Sequence, residues 1–226
     1  MFIGHNAVGF ASKTPAQRAS LGVLMAAPML PDLLWPIFLL LGIEHVRIQP
    51  GATRWTPLDF TDYPWSHSLL MTVVQAVVFA GGYWIFSRYT RGAIVAAVGV
   101  ISHWVCDFLM HRPDLPLWPH GPRAGLGLWN YPIASIAIEA AMFAIAVMLY
   151  RDVTHPTDRI GSIAFWALVI FLGGLYIAMA GGKPPQNVKQ IAYLGLAGWL
   201  IPIWAAWIPT AYTRNIRTGR WSSCWC

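Results

Sequence analysis

Six apolar stretches, at about 19–43, 66–87, 92–111, 130–150, 160–180 and 190–209, constrain the fold of this chain more than any other feature. Each is long enough, at about 1.5 Å per residue, to cross a hydrocarbon layer of roughly 30 Å as a helix. Inside such a layer every backbone N–H and C=O needs a partner within the protein, so unbroken apolar runs of this length are helical. Composition agrees: 57% of the residues are hydrophobic and 11% charged, against about 25% charged in a soluble domain. The expected fold is all-α, a polytopic membrane protein of about six transmembrane helices. Residues 2–12, FIGHNAVGFAS, are too short to span and too apolar for a free tail. They read as a short N-terminal half-helix lying on or dipping into the membrane. The N-terminus lacks the pattern of a secretory signal, and Met1 is expected to be retained. Residues 1–212 are read as one integral-membrane helical domain, and 213–226 as a short basic tail.

The net charge of +6 comes from basic residues scattered between apolar stretches. No dense patch results, which argues against nucleic acid as a partner. Six spans put both ends on one side. That side would carry Lys13, Arg18, Arg88, Arg91, Arg151, Arg159, Arg214, Arg217 and Arg220, nine basic residues, and the other side six. Both termini are therefore expected in the cytoplasm, with the chain in the cell's inner membrane. Cys106, Cys224 and Cys226 define no disulfide framework.

Within this apolar frame a few polar residues stand out. His103, Asp107 and His111 recur every four residues, which stacks them on one face of a helix. Ionisable groups in a membrane span are costly and point to function. Asp32 lies among Pro28, Pro31 and Pro36, and prolines break helices, so Asp32 is expected at an unwound or kinked point facing the interior. Ser66 is a plausible N-cap for the second span, with His67 in its first turn. The stretches 44–65 and 112–129 read as loops, with Trp118 and Trp129 at the membrane–water interface. Under the six-span topology Asp32, His67, His103 and Asp107 fall at similar depth toward the outer face. His5 joins them if the half-helix starts deep and descends to the cytoplasmic face. Imidazole and carboxylate together suit zinc, and also manganese or iron. Five such groups are too many for one open tetrahedral site and suit two ions, with Asp107 as the bridge. A buried hydrogen-bonded pair would also explain His103 with Asp107. His111 either ends its helix by hydrogen bonding or adds a ligand. Glu139, alone in mid-span, either accepts a hydrogen bond from a histidine or Asn130 or lines the cavity.

The ordered set Gly4-His5, Leu30-Pro31-Asp32, Ser66-His67-Ser68-Leu69, His103 through Asp107 and Leu117-Trp118-Pro119 resembles the inner-membrane metal-dependent hydrolase family once described as LexA-binding. That family is in turn similar to the zinc-dependent phospholipase C and single-strand nuclease group. The match covers residues 1 to about 120. The chain lacks the second acid and histidine that the family often has after its LPD. The resemblance implies phospholipase-C-like metal-site helices. It implies that Asp32, His67, His103 and Asp107 hold one zinc, and that His5 and Asp107 contribute to a second, with the N-terminal amine. Of a third metal set, only His111 and Glu139 are candidates.

The expected function is a membrane-embedded metal-dependent hydrolase. One or two divalent ions, foremost zinc, would activate water against a phosphoester of a lipid or lipid-linked substrate. Asp32 and Asp107 are the candidate catalytic residues, and membrane lipids the expected partners. The alternative is a small-molecule or ion transporter, because broken helices with a mid-membrane acid also build transport sites.

Overall fold

The computed structural model describes residues 1–182 and 184–212. Lys183 and the tail, with Arg214, Arg217, Arg220, Cys224 and Cys226, lie outside the described residues. The helices are α1 (Ile3–Ala11), α2 (Leu21–Leu40), α3 (Pro64–His67), α4 (Leu69–Ser87), α5 (Thr90–Met110), α6 (Pro132–Val153), α7 (Arg159–Gly181), α8 (Val188–Leu196) and α9 (Leu200–Trp207). Among the described residues, six helical segments are long and apolar enough to cross a membrane: α2, α4, α5, α6, α7, and α8 with α9 taken together. The chain is thus a polytopic all-α protein of the multi-pass type. The sixth segment is two helices joined by a 3-10 turn at Ala197–Trp199.

The expected loops carry more structure than composition suggested. Strands β1 (His45–Ile48) and β2 (Leu58–Asp62) form an antiparallel hairpin, followed directly by α3. Strands β3 (Leu115–Pro116) and β4 (Arg123–Ala124) form a second ribbon, and β5 (Thr154–Pro156) pairs with β6 (Thr210–Tyr212). Trp118 is exposed, as expected of an interface residue, but Trp129 is buried. The Trp129 ring sits 4.3 Å from that of His111, inside the protein rather than at its boundary.

The centre of the molecule is α2, which packs against α1, α5, α8 and α9. It is continuous from Leu21 to Leu40 despite Pro28, Pro31 and Pro36. The expected unwound point at Asp32 is absent. Tertiary donors reach its backbone: His103 Nδ1 lies 2.8 Å from the Pro28 carbonyl, and the Trp199 indole donates to the Leu33 carbonyl at 3.1 Å. Packing on four neighbouring helices holds a proline-rich segment helical that alone would bend.

Helix α1 is inserted into the bundle rather than lying on its surface. Ile3, Gly4, His5, Asn6, Ala7, Gly9 and Phe10 are all buried, and α1 packs on α2 and α6. A Cβ at Gly9 would come within 2.9 Å of the Met25 Cα, so only glycine lets α1 and α2 approach this closely. Phe10 is fully buried and meets Phe143, Tyr150 and Phe165 edge to face, an arrangement the ring quadrupoles favour. The first N–H groups of a helix have no intrahelical acceptor. Here Glu139 Oε2, from α6, accepts from Phe2 N and Gly4 N, both at 3.1 Å. Glu139 therefore caps α1, and neither a histidine nor Asn130 donates to it. The negative charge also complements the positive end of the α1 dipole.

Candidate metal centre

Four helices deliver the polar groups to one buried place. Helix α1 brings His5, α2 brings Asp32, α3 brings His67, α5 brings His103 and Asp107, and His111 is the C-cap of α5. All are buried except Asp32, whose side chain is 34% exposed. Asp107 lies at the hub and turns its two oxygens to different partners. Oδ1 lies 2.5 Å from the Met1 amine and 3.1 Å from His5 Nε2. Oδ2 lies 3.1 Å from His103 Nε2, 3.7 Å from His111 Nε2 and 3.9 Å from His67 Nε2. Asp32 Oδ1 is 3.3 Å from His67 Nε2. The rings of His5 and His103 stack at 4.0 Å.

Two triads bring their ligand atoms within 4.8 Å of one another: His5, His103 and Asp107, and Asp32, His67 and His103. They meet at His103. Its Nδ1 faces the Pro28 carbonyl, an acceptor only, so Nδ1 carries the proton and Nε2 presents a single lone pair. One lone pair serves one ion, so both triads cannot be filled through His103 together. A carboxylate with oxygens facing apart, as in Asp107, carries no such restriction.

The tautomer of His67 is set by a chain of groups behind it. Ser66 Oγ donates its only proton to Glu44 Oε2 at 2.6 Å. The contact of 2.6 Å between Ser66 Oγ and His67 Nδ1 must then be donated by the imidazole. Glu44 is itself buried and its Oε1 also accepts from Trp65 N and Ser66 N, at 2.7 and 2.8 Å. The expected N-cap role of Ser66 falls to Ser68, whose hydroxyl accepts from Met71 N. Ser66 is engaged instead with Glu44 and His67. From α4, Gln75 Nε2 donates to the Trp65 and Ser66 carbonyls and pins the same turn.

His111 is held in the same manner. Its Nδ1 lies 2.9 Å from Asp114 Oδ1, and Tyr63 donates to that oxygen at 3.3 Å. Burial, reinforced by the Asp114 carboxylate, pushes the Tyr63 phenol well above its ordinary range and keeps it a donor. Arg112 binds Asp114 and reaches Asp59 on β2. His111 thus does more than end its helix: it faces Asp107 and is anchored from behind.

The chemical character of the site follows from these tautomers. The Nε2 atoms of His67 and His103 face carboxylate oxygens, at 3.3 and 3.1 Å. Two acceptors facing each other in a buried place are satisfied by a cation between them, a proton or a metal ion. Histidines that bind metal characteristically give their other N–H to a carbonyl or a carboxylate-linked group. The residues present fit a divalent ion by both criteria. Glu44, Asp114 and Tyr63 were not singled out in the sequence, and Ser66 was read only as an N-cap. Glu44 and Asp114 lie in segments that read as loops, where an acid carries no signal.

A cavity of about 180 Å³ opens onto the cluster, lined at one end by Asp32, His67, Asp107, His111 and Glu139. Trp104 and Trp118 are not among its walls. No protein-family model, curated protein or solved structure matches the chain. The fold and site define a class: a multi-pass helical membrane protein with a buried, metal-type His/Asp cluster.

Proposed function

We propose that this protein is a divalent-metal-dependent hydrolase acting on a phosphoester of a lipid or lipid-linked substrate. The observation that carries the reading is the pair of anchored imidazoles, His67 and His103, whose free Nε2 atoms face Asp32 and Asp107. The resemblance to the inner-membrane hydrolase family supports it. On this reading Asp32, His67, His103 and Asp107 Oδ2 hold one ion, zinc foremost, and His5 with Asp107 Oδ1 takes part in a second. The inner membrane is the proposed location, with the termini cytoplasmic and the site toward the outer face.

Bound ions would lower the pKa of water and neutralise phosphoryl oxygens. The chain's own residues do the rest. Asp32, the one partly exposed carboxylate of the cluster, accepts the proton of the attacking water. The water oxygen bonds to phosphorus, the phosphorus–oxygen bond to the leaving alcohol breaks, and the proton passes from Asp32 to that alcohol oxygen. Glu44 and Ser66 keep the Nε2 atom of His67 free, and Asp114 with Tyr63 does the same for His111. Of the two grounds for the transport alternative, the break is absent, α2 being continuous, while the acid, Asp32, stands in the cavity wall.

The test is elemental analysis of purified protein, followed by a screen for headgroup and phosphate release in detergent. About one to two ions per chain with turnover that chelator abolishes is the expected result. A metal-free protein that moves a solute across vesicles without turnover would overturn the reading.

A further inference from the structure

Beyond the cluster, the cavity changes character. Its other walls are Trp35, Trp55, Leu58, Phe60, Tyr176 and Met179 among the apolar groups. The Trp55 and Tyr176 rings meet at 5.6 Å, joining the β1–β2 connection to α7. Met179 lines the cavity and is also 54% exposed, so the cavity reaches the exterior beside it. Met179 lies in the last turn of α7, a helix apolar enough to span. The mouth therefore opens beside the end of a span. No lysine or arginine lines the cavity, whereas Asp32, Asp107 and Glu139 do. Its volume of about 180 Å³ is below the roughly 300–1,000 Å³ of pockets that enclose a whole drug-sized ligand.

We propose that the cavity is a head slot with a lateral mouth at Trp55, Tyr176 and Met179. It admits the ester head of a membrane amphiphile, while the chains stay in the bilayer. The slot is too small for chain and head together. This rests on the hydrolase reading for the chemistry at the head, but not for the entry of the amphiphile.

Two substrates with one ester head, a long-chain lipid in micelles and a short-chain soluble analogue, separate the mouth from the site. Met179→Trp, which narrows the mouth, lowers long-chain turnover at least about tenfold more than soluble turnover, with metal content unchanged. Equal loss on both substrates, or none on the lipid, overturns the proposal. A phospholipid with a photoreactive group at the start of its acyl chain, in neutral vesicles, labels residues 55–60 and 176–179. Labelling confined to the outer face of α4 sinks the mouth even if esters are cut. Labelling at the mouth without any turnover sinks the hydrolase reading and leaves the slot standing.

Discussion

Helices α4 and α5 are adjacent in sequence, pack on each other, and are both apolar enough to cross a membrane. Yet 22% of the α4 window is buried against 44% of α5. On α4 the inward stripe is Thr72, Gln75 and Ala76, and Val77 and Val78 face outward, 67% and 69% exposed. On α5 the inward stripe ends in His103 and Asp107. Overall apolarity makes both helices spans. The identity of two residues one turn apart makes one of them the wall of a site and leaves the other its support, through Gln75.

The sharpest way to break this comparison is Asp107→Asn. It removes the charge that five cationic or imidazole groups surround. Metal content is expected to fall below about a tenth of wild type, and turnover by at least about a hundredfold. Full metal occupancy in that variant would end the distinction between α5 and its neighbour. Next is Glu44→Gln, which reverses or frees the proton that fixes Ser66 and His67. Zinc affinity, measured by competition with a chelating dye, should weaken about 10- to 100-fold. Restoration of full zinc occupancy at higher zinc concentration separates this from misfolding. Glu139→Ala leaves Phe2 N and Gly4 N unpaired in a buried place. A loss of about 1–3 kcal/mol is expected, seen as a lower Tm in detergent with the metal still bound. Glu139→Gln keeps an acceptor and should lose less. At the small end, Val77→Ala and Val78→Ala on α4 should change stability by no more than about 0.5 kcal/mol and leave metal content as it was. A large loss there would mean that α4's outer face is covered by a partner.

Much of the site could be read before the fold. His103 and Asp107 are four residues apart on one helix, so their shared face follows from helical geometry alone. His5, Asp32 and His67 stood out because charged or imidazole groups are rare in apolar surroundings. Glu44 and Asp114 were hidden for the opposite reason. They lie in polar connections, where an acid is ordinary, and only the folding of the β1–β2 hairpin and α3 over the helix ends buries them. Trp129 misled in the same way, since a tryptophan beside an apolar run has two homes, interface or interior. The prolines of α2 do not unwind it, because their local preference is real but weaker than packing against four helices.

The sequence by itself determined the number of spans, the all-α class and the chemical kind of the cluster. Those follow from the cost of bare backbone and bare charge in hydrocarbon, which acts on each segment separately. The tertiary structure decided which imidazole nitrogen is free, which oxygen of Asp107 meets which partner, and that Glu139 caps α1. It also decided that the cavity opens beside Met179. These depend on distances of a few ångströms between residues far apart in the chain, such as the 2.8 Å from His103 to the Pro28 carbonyl. No local preference encodes such distances, because they are set only when the helices pack.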